Sequence, residues 1–460
     1  MQDFPHLSLM RVNGLHGEKT VAIQFQRGVS IIASENGAGK TTILNILFLI
    51  LNKQLRKLAK INFQSVLLQF SNGKSLEIFR HELESYEIDE RRKRIPNAVQ
   101  GMLEFIDINL DADGAEALLN AARLSNATDI RRIVKKIASN DNFEISPSVI
   151  RYFIDYPEAI IRLIVEKRVR DFLLYFPYRV VYLPTYRRVE EDSSNLGVST
   201  RSRDMELFWD DDEENQLKAE ILIRFGMGDV RERFEKITQK IKDDTMSSYS
   251  KIGGSMLEEL LHVPNFSSDN VSEKIQANQA GLTLVLNRIG SSISRTGRRA
   301  ILKLVSSGGI LEEKYRPLAY VLANLIKIYE DQKSIDDRIN HFVATVNRYF
   351  KDKKLVYDEV DPRLYVSSLR TEVEIDLEML SSGEKQLISI LSLLYLEEDE
   401  YALIFDEPEL SLSTEWQQKL LPDIRRSGSC RFLLAATHSP YIFDNELVNL
   451  AMPLLVRYEN

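Results

Sequence analysis

Short runs of β-branched and apolar residues open the chain and predict strands. The segments LSLMRVNGL, KTVAIQF and GVSIIAS are divided by turns that contain glycine, as in strands joined by tight connections. After residue 39 the pattern changes, because apolar side chains recur at helical spacing from Ile43 to Leu51 and would fall on one face of a helix. The next segment, FQSVLLQFSNGKSLEIFR, places two alternating stretches around an Asn-Gly pair, which predicts a β-hairpin.

The middle of the chain has mostly helical periodicity. Residues 95–175 are helical in pattern with polar breaks, and YRVVYLPTYRR at 178–188 predicts an apolar strand. The polar and acidic stretch 190–215 predicts an exposed loop. Helical periodicity returns over 215–350, and its strongest part, 315–350, would pair with another helix as a short arm. It has too few heptads for a long coiled coil.

Strands return towards the C-terminus. KKLVYDE and TEVEIDLEML predict two strands, and a helix, a strand, a helix and a strand follow through YALIFDEPEL and FLLAATHSP. Such alternation predicts the α/β fold class. We divide the chain into the N-terminal half of a core at 1–90, a helical insertion at 91–177, a strand and acidic loop at 178–215, a second helical insertion at 216–350, and the C-terminal half of the core at 351–460.

Composition places the chain among ordinary soluble proteins. Of 460 residues, 44% are hydrophobic and 28% are charged, which is enough to build a large core. The single cysteine, Cys430, excludes an intrachain disulfide framework and fits a reducing, cytoplasmic setting. We find no signal peptide pattern, and apolar runs such as ILNILFLIL are shorter than the about 20 residues that cross a bilayer, so we expect no membrane association. The formal net charge of −8 gives no support to nucleic-acid binding.

The segment IIASENGAGKTTIL at 31–44 joins a strand to a helix through a glycine-rich turn. In this context backbone N–H groups and a helix N-terminus converge on phosphate oxygens. Gly37 and Gly39 permit the close approach, Lys40 supplies a cation for the β and γ phosphates, and Thr41 supplies a hydroxyl for Mg²⁺. Ser34 stands where such loops usually begin with glycine. The residues predicted to bind nucleotide here are Ser34, Glu35, Asn36, Gly37, Ala38, Gly39, Lys40, Thr41 and Thr42.

The alternative interpretation is that this loop merely connects a strand to a helix, and three further motifs argue against it. The first is LSSGEKQ at 380–386, which leads directly into an apolar helix. Ser381 or Ser382 would be the N-cap, with Gly383 next and Glu384 in the first turn. A capped helix start is also an anion site, so a structural and a nucleotide-binding role are compatible.

The other two motifs are apolar strands that end in polar residues. ALIFDEPEL delivers Asp406 and Glu407 to the C-terminal end of a strand, where ligands of open α/β sheets bind. Asp406 would hold Mg²⁺ through a water, and Glu407 would act as general base on the attacking water. FLLAATHSPYI ends in His438, which would sense the γ-phosphate. A lone histidine is more often structural, but this one follows the strand after the acidic pair.

In this order the motifs resemble those of an ABC-type ATPase. The phosphate loop would be 34–42, the signature 381–386, Walker B 403–407, the D-loop 409–413 and the histidine switch His438. The resemblance implies an ATPase head with a mixed β-sheet core, an antiparallel β subdomain and a mostly helical insertion, with ATP and Mg²⁺ as cofactors. Two chains of this superfamily sandwich ATP between the phosphate loop of one and the signature of the other. It therefore implies at least a homodimer, in which Ser382 and Gly383 complete the site of the other chain.

The spacing between the motifs indicates which branch of the ABC-type ATPases the chain resembles. Residues 43–380 separate the phosphate loop from the signature, as in the SMC, Rad50-like and OLD-like branch, whereas transport ATPases carry the two motifs much closer together. The chain lacks room for the long coiled coils of true SMC proteins, and only 439–460 follow His438, where OLD-family nucleases carry a Toprim domain. What remains resembles the stand-alone ATPase subunits of two-gene antiphage defence systems, such as the PARIS ATPase and, next, the Septu ATPase. These oligomerise, hold a Toprim or HNH nuclease and respond to a phage trigger.

Three basic features leave alternatives open. Arg187 and Arg188 follow the predicted strand where such ATPases carry a Q-loop, so one of them would lie near the nucleotide or a subunit interface, or they form a surface cation pair. The clusters ERRKR at 90–94 and RTGRRAILK at 295–303 would contact DNA, RNA or an acidic partner, or are solvated helix faces.

The leading hypothesis is an ATP-driven sensor and scaffold with a separate nuclease, and the alternative is a DNA repair or recombination ATPase of the Rad50 or RecF type.

Overall fold

The computed structural model divides into two compact units. The first contains the described residues before 224 and after 398, and the second contains those between 224 and 398. The described residues are 5–34, 37–87, 101, 103, 105–106, 108, 110, 112–140, 146–184, 227–261, 275, 278–289 and 293–458.

The strands and helices are numbered in chain order. The strands are β1 (Leu7–Leu15), β2 (Lys19–Gln24), β3 (Val29–Ala33), β4 (Ser65–Phe70), β5 (Ser75–Phe79), β6 (Arg179–Leu183), β7 (Lys353–Asp358), β8 (Arg363–Ser368), β9 (Glu374–Ile375), β10 (Tyr401–Asp406), β11 (Cys430–Thr437), β12 (Ala451–Met452) and β13 (Leu455–Tyr458). The α-helices are α1 (Lys40–Leu51), α2 (Leu55–Ala59), α3 (Arg80–Glu87), α4 (Ala112–Arg123), α5 (Ala127–Asn140), α6 (Pro147–Asp155), α7 (Pro157–Leu173), α8 (Met227–Leu261), α9 (Gln279–Arg288), α10 (Arg295–Ser306), α11 (Arg316–Asn347), α12 (Ser382–Leu396) and α13 (Thr414–Arg426).

The first unit is built around a parallel sheet in the order β12-β3-β11-β10-β6. Every residue of β10 is buried, because a parallel sheet has both faces covered and its strands are apolar throughout. The predicted α/β fold class is therefore confirmed. The antiparallel strands of this unit form a sheet of their own, which is the expected antiparallel β subdomain.

That antiparallel sheet has the order β13-β2-β1-β4-β5. The hairpin predicted around Asn72-Gly73 is confirmed, since β4 pairs with β5 across this turn and Gly73 takes a positive φ of 84°. Strand β13, near the C-terminus, completes the sheet by pairing with β2. Its four residues are mostly exposed, so it lacks the apolar alternation that would have predicted it.

Helix α1 is buried on all sides, although the sequence pattern had suggested a single apolar face. Every residue from Ile43 to Leu51 is buried, and the apolar cluster that contains them also includes residues of both sheets and of α2 and α7. A helix that is apolar all round is one that the core surrounds. The phosphate loop therefore leads into a rigid element.

The helices predicted between residues 95 and 175 form a second apolar cluster. It is contributed by α4, α5, α6 and α7. Buried Glu82, on α3, receives hydrogen bonds from Arg123 on α4 and Arg168 on α7. A carboxylate out of water needs such charge-assisted bonds, so these contacts tie the helices to the hairpin region.

The second unit contains the predicted long helix. It is α11, which packs on α8, α9 and α12. The small sheet of this unit, β7-β8-β9, differs from prediction in two ways: β8 was not predicted, and TEVEIDLEML contributes only β9. The Asp376 side chain accepts a hydrogen bond of 2.9 Å from the backbone N–H of Glu378 and begins a 3₁₀ turn over Leu377–Met379. A local bond of this kind competes with strand pairing.

A buried polar cluster joins the elements of the second unit. Arg288 and Asp336 are 2% and 7% exposed and lie 2.7 Å apart, and the Tyr357 hydroxyl also donates to Asp336. Gln332 accepts from Arg288 at 3.0 Å and donates to Thr245 at 2.9 Å. The cluster thereby connects α8, α9, α11 and β7. Across the described part of the chain, no helix is long and apolar enough to cross a membrane.

Candidate functional site

The site of the first unit lies at the carboxyl ends of three neighbouring parallel strands. In the sheet register Asp406 of β10 is opposite Ala436 of β11, and Thr437 is opposite Ala33 of β3. The segments that leave these strands therefore begin at the same edge, where ligands of α/β sheets bind. The sheet pairing brings together polar residues that are far apart in the sequence.

The phosphate loop turns from β3 into α1 through glycines with positive φ. Gly37 and Gly39 have φ values of 80° and 96°, a conformation that side chains disfavour. Gly39 is the N-cap of α1, no side chain caps this helix start, and its first turn contains no acid. Its N–H groups and positive helix end are therefore suited to an external anion such as a phosphate.

Lys40 lies at the start of α1, buried to 6% exposure. Its amine donates a 2.6 Å hydrogen bond to the carbonyl of Ser34, so it reaches back across the loop. Burial lowers the pKa of Lys40, and the carboxylates of Glu407, Asp406 and Glu409 oppose that shift. A cation surrounded by acids at the mouth of a glycine-rich loop is suited to bridging phosphate oxygens.

Thr41 and Asp406 form the contact that best fits a magnesium ion. The Thr41 hydroxyl donates to a carboxylate oxygen of Asp406 at 2.8 Å, and Asp406 is 1% exposed. Mg²⁺ takes oxygen ligands and is usually held by one or two protein groups together with waters and substrate phosphates. The donor set therefore fits Mg²⁺, with Thr41 and Asp406 as the residues that would hold it.

Glu407 leaves the strand in a strained conformation. Its φ is 51°, which is uncommon for a residue with a side chain and costs about 1–3 kcal/mol. The strain is held by its backbone N–H, which donates to the carbonyl of Ala436 at 2.8 Å. The Glu407 carboxylate lies 3.8 Å from Nε2 of His438, and both side chains are 30% exposed. A partly exposed acid beside an imidazole can accept a proton from water.

The signature segment belongs to the second unit. Ser381 is the N-cap of α12 and forms a capping box with Glu384, which confirms the predicted cap. Glu384 is also paired with Lys353 of β7 at 2.8 Å. Ser382 is half-buried and Gly383 is buried. These contacts order a helix start whose unpaired N–H groups can donate hydrogen bonds to an anion.

The remaining predicted residues have these positions. Ala38 and Thr42 are half-buried in the phosphate loop and the first turn of α1. Glu35, Asn36 and Arg187 lie outside the described residues, as does Arg188.

Lys19, and the role of Glu409 within the predicted D-loop, were not predicted from the sequence. Lys19 of β2 is 8% exposed, and its amine donates to the carbonyl of Gly37 at 3.0 Å. The signal was present, because β2 alternates and Lys19 shares its inward face with Val21 and Ile23. Glu409 bonds to the segment that contains His438. No local pattern marks that contact, because it joins two separate loops.

A buried helix that starts at a glycine-rich loop, with a lysine and a Thr–Asp pair beside it, is the arrangement expected of P-loop ATPases. Comparison with known proteins gives the family within that class. Residues 7–443 match the family model AAA_15, an AAA ATPase domain, so the chain belongs to this family and is an ATP-binding ATPase. No curated protein matches the chain.

Solved structures with some similarity include two Smc heads. The SmcHead bound to the C-winged helix domain of ScpA is 9% identical, with a TM-score of 0.33 over 99% of this chain and 98% of that one. The Smc head domain with an extended coiled coil, bound to the C-terminal domain of ScpA derived from Pyrococcus furiosus, is 11% identical, with a TM-score of 0.32 over 99% and 96%.

Proposed function

We propose that this ATPase is the sensor and scaffold of an antiphage (abortive infection) defence system. It binds and hydrolyses ATP in the cytoplasm, forms a homodimer or a higher homo-oligomer, and controls a separate Toprim or HNH nuclease in response to a phage trigger. The observation that carries the ATP-dependent part is the 2.8 Å contact between Thr41 and Asp406 beside the buried Lys40. The defence role is supported by the motif order and spacing described above.

The residues of the first unit have separate tasks in hydrolysis. The phosphate loop and Lys40 bind the phosphates, while Thr41 and Asp406 would hold Mg²⁺, which neutralises phosphate charge when bound. Glu407 accepts a proton from the attacking water, and its backbone bond to Ala436 keeps the carboxylate at the strand end. His438, 3.8 Å from that carboxylate, contacts the γ-phosphate.

The signature would act on the site of a second chain. The capped start of α12 offers Ser381, Ser382 and Gly383 to an anion, and the pair between Glu384 and Lys353 offsets a carboxylate that would otherwise repel phosphate. With one phosphate loop and one signature per chain, a symmetric dimer would contain two complete sites.

Two variants test the ATP-dependent assembly. Glu407→Gln should retain ATP and accumulate a dimer or larger assembly, because the glutamine cannot accept the proton. Lys40→Ala should abolish nucleotide binding and remain in the unassembled form. Light scattering after size-exclusion chromatography, with ATP and Mg²⁺ present, measures the assembly state of both variants. Normal ATP turnover by the Glu407 variant would overturn the assignment of the general base.

The defence role needs a separate test. Cells that carry this chain together with its neighbouring gene should resist phage, and resistance should disappear with Lys40→Ala. Plaque counts measure the effect. The sensor and scaffold model fails if this chain alone protects cells, or if the purified chain cuts nucleic acid without a second protein.

One surface favours the alternative, a DNA-engaging ATPase of the Rad50 or RecF type. Arg295, Arg299 and Lys303 are exposed along α10 at four-residue intervals, which puts their origins about 6 Å apart along one face. Among the described residues, no carboxylate lies within ion-pair distance of these three cations. The alternative predicts ATPase stimulation by DNA and an affinity that falls steeply with salt. Absence of both effects would exclude it.

A further inference from the structure

We propose that Glu409 is the positioning residue that holds His438 in the ATP site. Glu409 lies just after β10, and its carboxylate contacts the last residue of β11 and the two residues that follow it. Oε2 accepts a hydrogen bond from the Thr437 hydroxyl at 2.7 Å. Oε1 accepts the backbone N–H groups of His438 at 2.7 Å and Ser439 at 3.2 Å. One side chain therefore determines where the backbone of the histidine leaves the sheet.

A second set of bonds closes the connection from the other side. The Ser439 hydroxyl donates to Oε1 of Gln417 on α13 at 2.6 Å. Gln417 in turn donates to the carbonyl of Leu412 at 3.0 Å, in the same segment as Glu409. The loop after β11 is thus attached to the loop after β10 at two points, and Gln417 is buried. Buried networks in which each member is bonded are rigid.

The rigidity of this loop matters for catalysis, because the hydrogen bonds described above hold the backbone of His438 and not its imidazole. The His438 imidazole is partly exposed and lies 3.8 Å from the Glu407 carboxylate, which is beyond hydrogen-bond distance. Its placement depends on the backbone that carries it, and that backbone is bonded to Glu409. Because a shift of about 1 Å in a reacting group can cost on the order of 100-fold in rate, loss of the Glu409 carboxylate should reduce turnover. The inference rests on the roles proposed above for Glu407 and His438.

Glu409 has a second effect that the experiment must separate from positioning. Its charge is one of the three that oppose the lowering of the Lys40 pKa by burial. Glu409→Gln removes the charge and leaves the geometry available. The amide oxygen can accept both backbone N–H groups, and the amide nitrogen can donate to the Thr437 hydroxyl, whose own proton can point to the carbonyl of Ser439, 3.4 Å away. Glu409→Ala removes both charge and geometry.

The test is a double-mutant cycle on the full chain with ATP and Mg²⁺. We expect E409A to lower kcat by about 10- to 100-fold, with KM within about twofold of the wild type, and E409Q to retain most of kcat. Because Glu409 acts through His438, the double variant E409A/H438A should have the kcat of H438A alone. Glu415→Ala is the matched control, because Glu415 is an exposed acid on α13 that contacts Lys419, and it should leave kcat unchanged.

Three results would overturn the proposal. The first is a double variant whose loss equals the product of the two single losses, which would make the residues independent. The second is an E409Q variant as impaired as E409A, which would assign the effect to charge. The third is normal turnover by E409A. If E409A fails to fold, the cycle is run with Thr437→Val, which removes one of the bonds to Glu409. The proposed function is judged separately, by Lys40→Ala and Glu407→Gln.

Discussion

Replacing Lys19 with methionine should weaken nucleotide binding, although the residue lies outside the phosphate loop in the sequence. The Lys19 amine is buried and donates to the carbonyl of Gly37 at 3.0 Å. It also lies close to Gly39, since a side-chain carbon added there would be 3.7 Å from the amine. Lys19 is therefore bonded to the phosphate loop at Gly37, and Lys40 is bonded to it at Ser34.

The size of the effect follows from the type of bond. Hydrogen bonds that involve a charged group contribute about 1.5–3 kcal/mol, and each 1.4 kcal/mol corresponds to about tenfold in affinity. Without the Lys19 bond, the phosphate loop must be ordered when ATP binds. The cost of that ordering lowers the affinity for ATP. We therefore expect Lys19→Met to raise the Kd for ATP by about 10- to 150-fold. Methionine keeps most of the apolar stem and removes the amine, so the core around β2 should persist.

Titration with a fluorescent ATP analogue measures this Kd, and thermal melting checks the fold. Lys19→Arg keeps a charged donor and should recover part of the affinity. Lys74→Met is the matched control, because Lys74 is exposed in the turn of the β4–β5 hairpin of the same sheet, and its Kd should be unchanged. A Lys19→Met protein that melts normally and binds ATP within about twofold of the wild type would refute the reasoning.

Three further predictions concern other contacts. Asp336→Ala leaves the buried guanidinium of Arg288 without its carboxylate, so it should lower the free energy of unfolding by about 3–5 kcal/mol. Urea denaturation measures this loss, and a loss below about 1 kcal/mol would contradict the role of the pair. Asp406→Asn should leave ATP bound but reduce Mg²⁺-dependent hydrolysis, because the carboxylate beside Thr41 is gone; a normal rate at limiting Mg²⁺ would exclude Asp406 from the metal site. Ser381→Ala removes the N-cap of α12 and should lower the unfolding free energy by about 1 kcal/mol, and an unchanged urea midpoint would contradict it.

The parts of the fold that could be predicted are those that local rules determine. Strand β10 is apolar throughout because both faces of its sheet are covered, so ALIFDEP identified both the strand and the position of Asp406. The Asn-Gly pair required a tight turn, and Gly73 takes the positive φ that such turns need. Ser381 and Glu384 identified a helix start because a capping box is complete within four residues.

Predictions failed where a contact joins distant segments or where two local preferences compete. In TEVEIDLEML the alternating pattern favoured a long strand, but the Asp376 side chain bonds to the backbone N–H of Glu378 and starts a 3₁₀ turn instead. Lys19 was missed although its inward position in β2 is visible in the alternation, because a lysine on an apolar face becomes informative only once its acceptor is known. That acceptor, the carbonyl of Gly37, is supplied by another element.

The geometry of the candidate ATP site is set by strand pairing first and by side chains second. Asp406 ends β10 and His438 directly follows β11, and the register of these two strands is fixed by parallel hydrogen bonds along buried residues, so substitutions at the exposed edge of the site should not change how far each strand extends. Substitutions can still change the direction in which the chain leaves each strand. At Glu407 that direction is a positive φ held by one bond to Ala436, and at His438 it is held by the carboxylate of Glu409. Apart from substitutions of residues that would contact the nucleotide or Mg²⁺, changes in turnover should therefore map to these two positions, because the sheet below them and the buried helix α1 are too well packed to respond.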